Sequence, residues 1–192
     1  MNKTLPKICI YDIDGVVVNS QDRYLRSGGT QAMAEKDYNA FRQCLANYNK
    51  DTEGDIPLYQ SIEILNNLRQ TMKIEHMVAI TARGEEGKGP TLKFLKEHMP
   101  WEVNESLLYM RPSYPEITPG VFWQPGMPKF SSIDYKRKIA LELMTKYDIL
   151  FAVDDHVDIV EMYWELGIYS MCMLVPGVNQ ETRKKKVNVI QG

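Results

Sequence analysis

Residues 7 to 20 read Lys7-Ile8-Cys9-Ile10-Tyr11-Asp12-Ile13-Asp14-Gly15-Val16-Val17-Val18-Asn19-Ser20. From Ile8 to Tyr11 the run is apolar on both faces, the pattern of a strand buried in a parallel sheet with helices on either side. It then ends abruptly in two carboxylates and a glycine. Side chains alternate along a strand, so Asp12 and Asp14 fall on one side and Ile13 on the other. Open α/β sheets bind ligands beyond the carboxyl ends of their strands. That places both aspartates where a ligand would be expected. Two carboxylates at contact distance repel by up to about 4 kcal/mol at an effective dielectric near 20. A cation between them removes this cost, and Mg²⁺ suits a site with few protein carboxylates completed by water and phosphate. Gly15 allows the tight turn that follows.

The chain has 192 residues, enough for one α/β core with a modest insertion, so a single domain over 1–192 is expected. A formal net charge of −2 excludes a strongly basic nucleic-acid binder and an acidic tail protein as global classes. Cys9, Cys44 and Cys172 share no metal-ligand spacing and read as reduced, small apolar residues of an intracellular protein. No charged-then-apolar leader opens the sequence, and no apolar run approaches the ~20 residues needed to span a membrane. A cytoplasmic protein is the expectation.

After the aspartates, residues 19–55 contain no strand-like run and read as a small helical insertion, a partial cap over the strand ends. Within it Arg23 follows the turn closely enough to reach back over the site. Asp55-Ile56-Pro57 reads as a helix start, with Asp55 as cap and Pro57 in the first turn, and Ile62, Leu65 and Leu68 recur at helical spacing. His76 to Ile80 is a second buried strand, ending in Thr81-Ala82-Arg83-Gly84. Thr91 to His98 reads as a helix, and Glu105 to Tyr109 as a third strand leading into Met110-Arg111-Pro112. Residues 112–130 interleave Pro112, Pro115, Pro119, Pro125 and Pro128 with Tyr114, Phe122 and Trp123, which forbids a helix and suits a loop at the strand ends. A helix opens near Ser131 to Asp134, with Ile139, Leu143 and Met144 on its buried face and Lys136, Arg137 and Lys138 in its first turns. Ile149 to Val153 is the last strong strand and ends in Asp154-Asp155-His156, with Asp158 a candidate cap for the next helix. Arg183-Lys184-Lys185-Lys186 forms a basic tail segment.

Asp12-Ile13-Asp14-Gly15-Val16, Thr81, the basic turn Lys136 to Lys138 and Asp154-Asp155 occur in the order of the four motifs of the haloacid dehalogenase superfamily, which the chain resembles over essentially its whole length. The resemblance implies a Rossmann-like α/β fold, a mostly parallel central sheet flanked by helices with a small helical cap. It implies Asp12 as nucleophile, Asp14 as general acid and base, Thr81 as a phosphoryl ligand, and Lys136, or alternatively Lys138, as the lysine that steadies the nucleophile. A Mg²⁺ ion would be held by Asp12, the backbone carbonyl of Asp14, and the Asp154/Asp155 pair, of which one binds directly and the other orients a water or the lysine. More narrowly, the chain resembles the 3′-phosphatase domain of bacteriophage-type polynucleotide kinase/phosphatases. That likeness rests on Asp12 to Gly15 with Arg23, Thr81-Ala82-Arg83, Met110-Arg111-Pro112, and Val153-Asp154-Asp155 running into Val160 to Ile168. It implies phosphate binding by Arg23 and Arg83, with Arg111 and Lys138 as further substrate contacts. Val16 and His156 stand where that family usually carries Thr and Arg. No Gly-rich sequence ending in Gly-Lys-Ser/Thr occurs, so a kinase half has no site. The expected activity is Mg²⁺-dependent hydrolysis of a phosphomonoester through an aspartyl-phosphate, on a phosphorylated nucleic-acid end. A nucleotidase or small-molecule phosphatase is the alternative, followed by a binding module without catalysis.

Overall fold

Strand β1 (Lys7–Tyr11) buries every residue after Lys7, and the alternation of its side chains builds two cores at once. Cys9 and Tyr11 join Ile13, Ile62, Leu65, Met77, Phe94 and Leu95 on one face. Ile8 and Ile10 join Val78, Ile80, Ile139, Leu143, Ile159 and Tyr163 on the other. Each such fully buried aliphatic side chain stabilises the fold by about 1.5–3 kcal/mol. The structure is a computed structural model that describes residues 5–28, 38–112 and 132–175.

A strand covered on both faces pairs with neighbours on both edges. β1 runs parallel to β4 (His76–Gly84) on one side, with Cys9 opposite Met77. On the other side it runs parallel to β6 (Asp148–Asp154), with Tyr11 opposite Val153. β5 (Leu108–Arg111) and β7 (Ser170–Cys172) complete a parallel sheet in the order β5-β4-β1-β6-β7. Helices α3 (Tyr59–Thr71) and α4 (Lys88–His98) supply the first core, and α5 (Ser132–Met144) and α6 (Val157–Glu165) the second. The expected α/β architecture is therefore present, with helices on both faces of a parallel sheet.

Beyond Asp14 the chain turns tightly. The amides of Val16, Val17 and Val18 all donate to the Ile13 carbonyl, and those three valines are fully buried. A two-residue strand β2 (Val18–Asn19) then leads into α1 (Gln21–Arg26) and, further on, α2 (Tyr38–Lys50), and the segment returns through β3 (Ile56–Pro57). β3 corrects the helix start expected at Asp55. Ile56 and Pro57 pair antiparallel with Asn19 and Val18, Leu58 donates its N–H to Val17 O, and α3 begins only at Tyr59. Proline is tolerated because so short a ribbon asks little of the donor it lacks.

Other boundaries differ from the expected ones for local reasons. β4 continues through Gly84, carrying Thr81 and Arg83 inside the strand, and its register with β5 shifts between Thr81 and Gly84. Residues Glu105–Leu107 form a 3₁₀ turn whose Ser106 amide donates to the Asn104 side chain, so β5 starts at Leu108. α4 opens at Lys88 rather than Thr91. His156 is the residue that caps α6, placing Asp158 in its first turn. The three cysteines are free thiols, and burial pushes Cys9 up to about 12. Among the described residues no helix is long and apolar enough to cross a membrane. The proline-rich loop beyond Pro112 and the basic segment at Arg183 lie outside the described residues.

Candidate active site

The carboxyl ends of β1, β6 and β4 deliver the charged side chains to one place. Asp12 is fixed at the end of β1 by its amide, which donates to Val153 O at 2.9 Å. Across the strand pair, Asp154 and Asp155 bring oxygens within 4.8 Å of an Asp12 oxygen and of each other. Lys136 reaches the same point from the start of α5, only 1% exposed, its Nζ 2.7 Å from Asp154 Oδ2 and 3.0 Å from Asp12 Oδ1. The other Asp154 oxygen accepts the His156 amide at 2.9 Å. Asp154 is thus the carboxylate that steadies the lysine.

Helix geometry separates the two candidate lysines. Two residues along a helix is a turn of about 200° around the axis, so Lys138 projects away from the buried face that holds Lys136. It is 67% exposed and lies 4.0 Å from Glu142. Lys136, not Lys138, is therefore the lysine at the carboxylate cluster.

Electrostatics of this half favour a cation. Asp12 and Asp154 share one ammonium between two carboxylates, an anionic excess before Asp155 is counted. Burial first, and then repulsion from Asp154 and Asp155 against the attraction of Lys136, pushes the Asp12 carboxyl well above its ordinary value. Burial works against the charge on Lys136 too, but Asp12 and Asp154 outweigh it and hold the ammonium well above the usual lysine range. Three hard oxygen donors around an excess of negative charge suit Mg²⁺ or a similar divalent ion.

Gly15 makes the cluster possible. Its φ is +79°, and a Cβ built there would overlap the Asp155 carboxylate. Gly15→Ala is expected to cost about 1–2 kcal/mol for the left-handed backbone and to push Asp155 from its place. Thermal melts with and without Mg²⁺ check this. The metal-induced rise in melting temperature should shrink several-fold relative to the unaltered chain.

Asp14 belongs to a different set of contacts. Arg83 Nε donates to Asp14 Oδ2 at 2.9 Å and Nη2 to Oδ1 at 2.7 Å, a bidentate pair. Arg83 Nη2 also donates to Asp55 Oδ2 at 2.8 Å, and Nη1 to the Thr91 hydroxyl at 3.3 Å. Arg23 Nη2 donates to Asp14 Oδ1 at 3.4 Å, and its Nε stands 2.9 Å from Asp55 Oδ1. Its Nη1 donates to the carbonyls of Tyr48 and Asp51 at 2.8 and 2.7 Å, with the guanidinium 4.0 Å over the Tyr48 ring. The Tyr48 hydroxyl donates to Asp14 Oδ1 at 3.1 Å and reaches Ser20 Oγ at 2.7 Å. Two arginines and two aspartates form a charge-balanced ring that ties the insertion to the strand ends. Burial alone would raise Asp14, but Arg83 and Arg23 hold its carboxyl well below the usual range. Asp55 keeps a raised value because burial outweighs the same two guanidinium groups.

The ring places Arg23 and Arg83, the expected phosphate ligands, against Asp14 and Asp55. Both are nearly inaccessible; Arg83 Nε and the Nη groups of both donate to protein oxygens, and Arg23 Nε is in ion-pair contact with Asp55 Oδ1. Thr81 is buried within the second half of β4, its Oγ1 accepting the Arg83 amide at 3.2 Å. Arg111 ends β5 opposite Gly84, with β4 between it and β1. Asp55, Tyr48, Ser20 and Thr91 were not anticipated in these roles. Asp55 matched the pattern of a helix cap and so carried no separate signal.

No family model matches the chain, and no curated protein matches it. Solved structures do. The chain aligns with a protein of the Pnkp1/Rnl/Hen1 complex at 20% identity and a TM-score of 0.56, covering 89% of this chain and 47% of that one. It spans about half the length of that relative. A haloacid dehalogenase-like hydrolase from Streptococcus pneumoniae aligns at 13% identity and a TM-score of 0.54, covering 90% of this chain and 85% of that one. A class C acid phosphatase from Bacillus anthracis aligns at 13% identity and a TM-score of 0.52, covering 100% and 81%. With its parallel sheet, its strand-end carboxylates and these neighbours, the chain has the fold of haloacid dehalogenase-type phosphatases and hydrolases.

Proposed function

We propose that the chain is a Mg²⁺-dependent phosphomonoester hydrolase acting through an aspartyl-phosphate, with a 3′-phosphorylated nucleic-acid end as substrate. The observation that carries this reading is the pairing at one point of a metal-competent set, Asp12, Asp154 and Asp155 with Lys136, and a separately neutralised carboxylate, Asp14, two residues along.

Asp12 attacks phosphorus in line, and the P–O bond to the leaving oxygen breaks as the Asp12 acyl phosphate forms. Asp14, once protonated, gives that proton to the leaving oxygen, and as the carboxylate it takes one from the water that hydrolyses the acyl phosphate, so the proton gained in one turnover is the one delivered in the next. The arginines, by keeping Asp14 ionised at rest, favour the second of these steps. Lys136 neutralises Asp12 between turnovers and faces the charge on the phosphoryl oxygens, while Thr81 supplies a hydroxyl from within β4. A magnesium ion held by Asp12, Asp155 and Asp154 with the Asp14 carbonyl would polarise the phosphoryl group and offset its charge. The nucleic-acid substrate is supported by the fold likeness to a component of an RNA repair complex and by the basic run Arg183 to Lys186.

The test is phosphate release from a 3′-phosphorylated oligonucleotide beside a panel of 3′- and 5′-mononucleotides, each with Mg²⁺ and with chelator. Release only with metal, fastest from the oligonucleotide, is expected. Faster release from mononucleotides would move the protein to nucleotide metabolism with the same chemistry, and no release from any ester would overturn the assignment.

A further inference from the structure

The proposed reaction uses every charged residue of the site except Asp55. Its side chain is 0% exposed, and each oxygen serves a different arginine, Oδ1 at 2.9 Å from Arg23 Nε and Oδ2 accepting Arg83 Nη2 at 2.8 Å. It stands immediately before β3, where the insertion rejoins the body. We propose that Asp55 is a positioning residue for the reaction at Asp12, one that fixes the two guanidinium planes against Asp14 and keeps them from turning onto the phosphoryl group. This rests on the phosphatase reading above.

Both arginines are directed at protein oxygens on almost every side, Arg83 toward Asp14, Asp55 and Thr91, and Arg23 toward Asp14, Asp55 and the carbonyls of Tyr48 and Asp51. Two cations face two anions, and the ring is balanced only while Asp55 is charged. Asp14, 25% exposed, is its most open member and the one beside the nucleophile's strand end. A ring deprived of Asp55 carries one cation too many, buried and short of an acceptor. Guanidinium groups pair with phosphate in the same bidentate geometry as with carboxylate, so a phosphate arriving over Asp14 is the replacement partner within reach. Loss of Asp55 therefore turns a clamp on Asp14 into a trap for phosphate.

That signature runs opposite to a packing defect. In the full chain, Asp55→Asn is expected to lower kcat on the 3′-phosphorylated oligonucleotide at least about tenfold, with KM unchanged or lower. Inhibition by inorganic phosphate should tighten several-fold, because the added positive charge lies next to the site. A merely structural role would lower the melting temperature and the active fraction, leaving KM and the phosphate inhibition constant where they were, and that result overturns the proposal. Asp55→Glu keeps the charge and lengthens the arm by one methylene. It should hold phosphate inhibition at the unaltered value while lowering kcat, and full kcat in this variant would equally overturn positioning. It also serves if Asp55→Asn does not fold. Calorimetric titration with inorganic phosphate separates the two levels of the argument. If the unaltered chain hydrolyses no phosphomonoester, the functional reading fails by itself. Tighter phosphate binding by Asp55→Asn still supports the charge balance, and equal or weaker binding rejects it.

Discussion

Asp12→Asn is expected to reduce turnover by at least about 10³-fold and, in the same protein, to raise the melting temperature when chelator is present. The first effect follows from chemistry, since an amide oxygen does not form the acyl phosphate. The second follows from the electrostatics of the empty cluster. Asp12 is buried, shares Lys136 with Asp154, and has Asp155 close by, so its folded-state pKa lies above its unfolded value. A carboxyl raised in this way reduces stability at every pH above its unfolded pKa, and the penalty fades as pH falls toward that value. Each tenfold change in a proton-binding constant is worth about 1.4 kcal/mol, and in a chain of this size each kcal/mol moves the melting temperature by about 2–4 °C. An uncharged isostere removes the penalty at neutral pH. Mg²⁺ should reverse the order, because binding to the folded state alone stabilises in proportion to RT ln(1 + [L]/Kd), and the variant has one oxygen ligand fewer. Phosphate release together with melts in Mg²⁺ and in chelator checks both halves. A variant that melts below the unaltered protein in chelator would mean that Asp12 sits in no anionic excess, and near-normal turnover would remove it as nucleophile.

The strands were legible because a sheet buried on both faces writes continuous apolar runs, as in Ile8 to Tyr11 and Met77 to Ile80, and each run ends in the polar residues that mark its carboxyl end. β7 was not legible. Ser170–Cys172 is three residues long at the sheet edge, half-buried throughout, and carries no period to detect. The acidic and lysine positions came from the resemblance to the superfamily's motif order, yet the choice between Lys136 and Lys138 turns on which face of α5 meets the sheet, a tertiary fact. The arginines show the limit more sharply. Arg23 and Arg83 are recognisable in the sequence as site residues, but their partner is not, because Asp55 lies 32 positions from one and 28 from the other. A buried ion pair between distant residues leaves no local pattern, whereas a helix cap, which Asp55 also resembles, leaves a strong one.

Lys136 carries the other large effect. Truncation to Met is expected to destabilise the metal-free protein by about 3–5 kcal/mol, the usual result of removing one partner from a buried charge pair. Here one ammonium, 1% exposed, lies at 2.7 Å from Asp154 and 3.0 Å from Asp12, so its loss leaves two buried carboxylates facing each other. The folded-state value of Lys136 lies above the ordinary lysine range, so at any pH below that ordinary value the ammonium contributes its full stability. Magnesium should recover part of the loss, since a dication at Asp12, Asp154 and Asp155 restores the counter-charge from the other side of the same oxygens. Activity should not return with it, because the ion cannot also take the place of the ammonium beside the phosphoryl oxygens. Arginine should not rescue either, its planar fork being too wide for a slot shaped around one Nζ between two carboxylates. Urea midpoints in chelator and in saturating Mg²⁺, with phosphate release measured in parallel, test the argument. Equal destabilisation in both solutions would show that the lysine and the metal do not share these carboxylates, and would separate the metal site from Asp12.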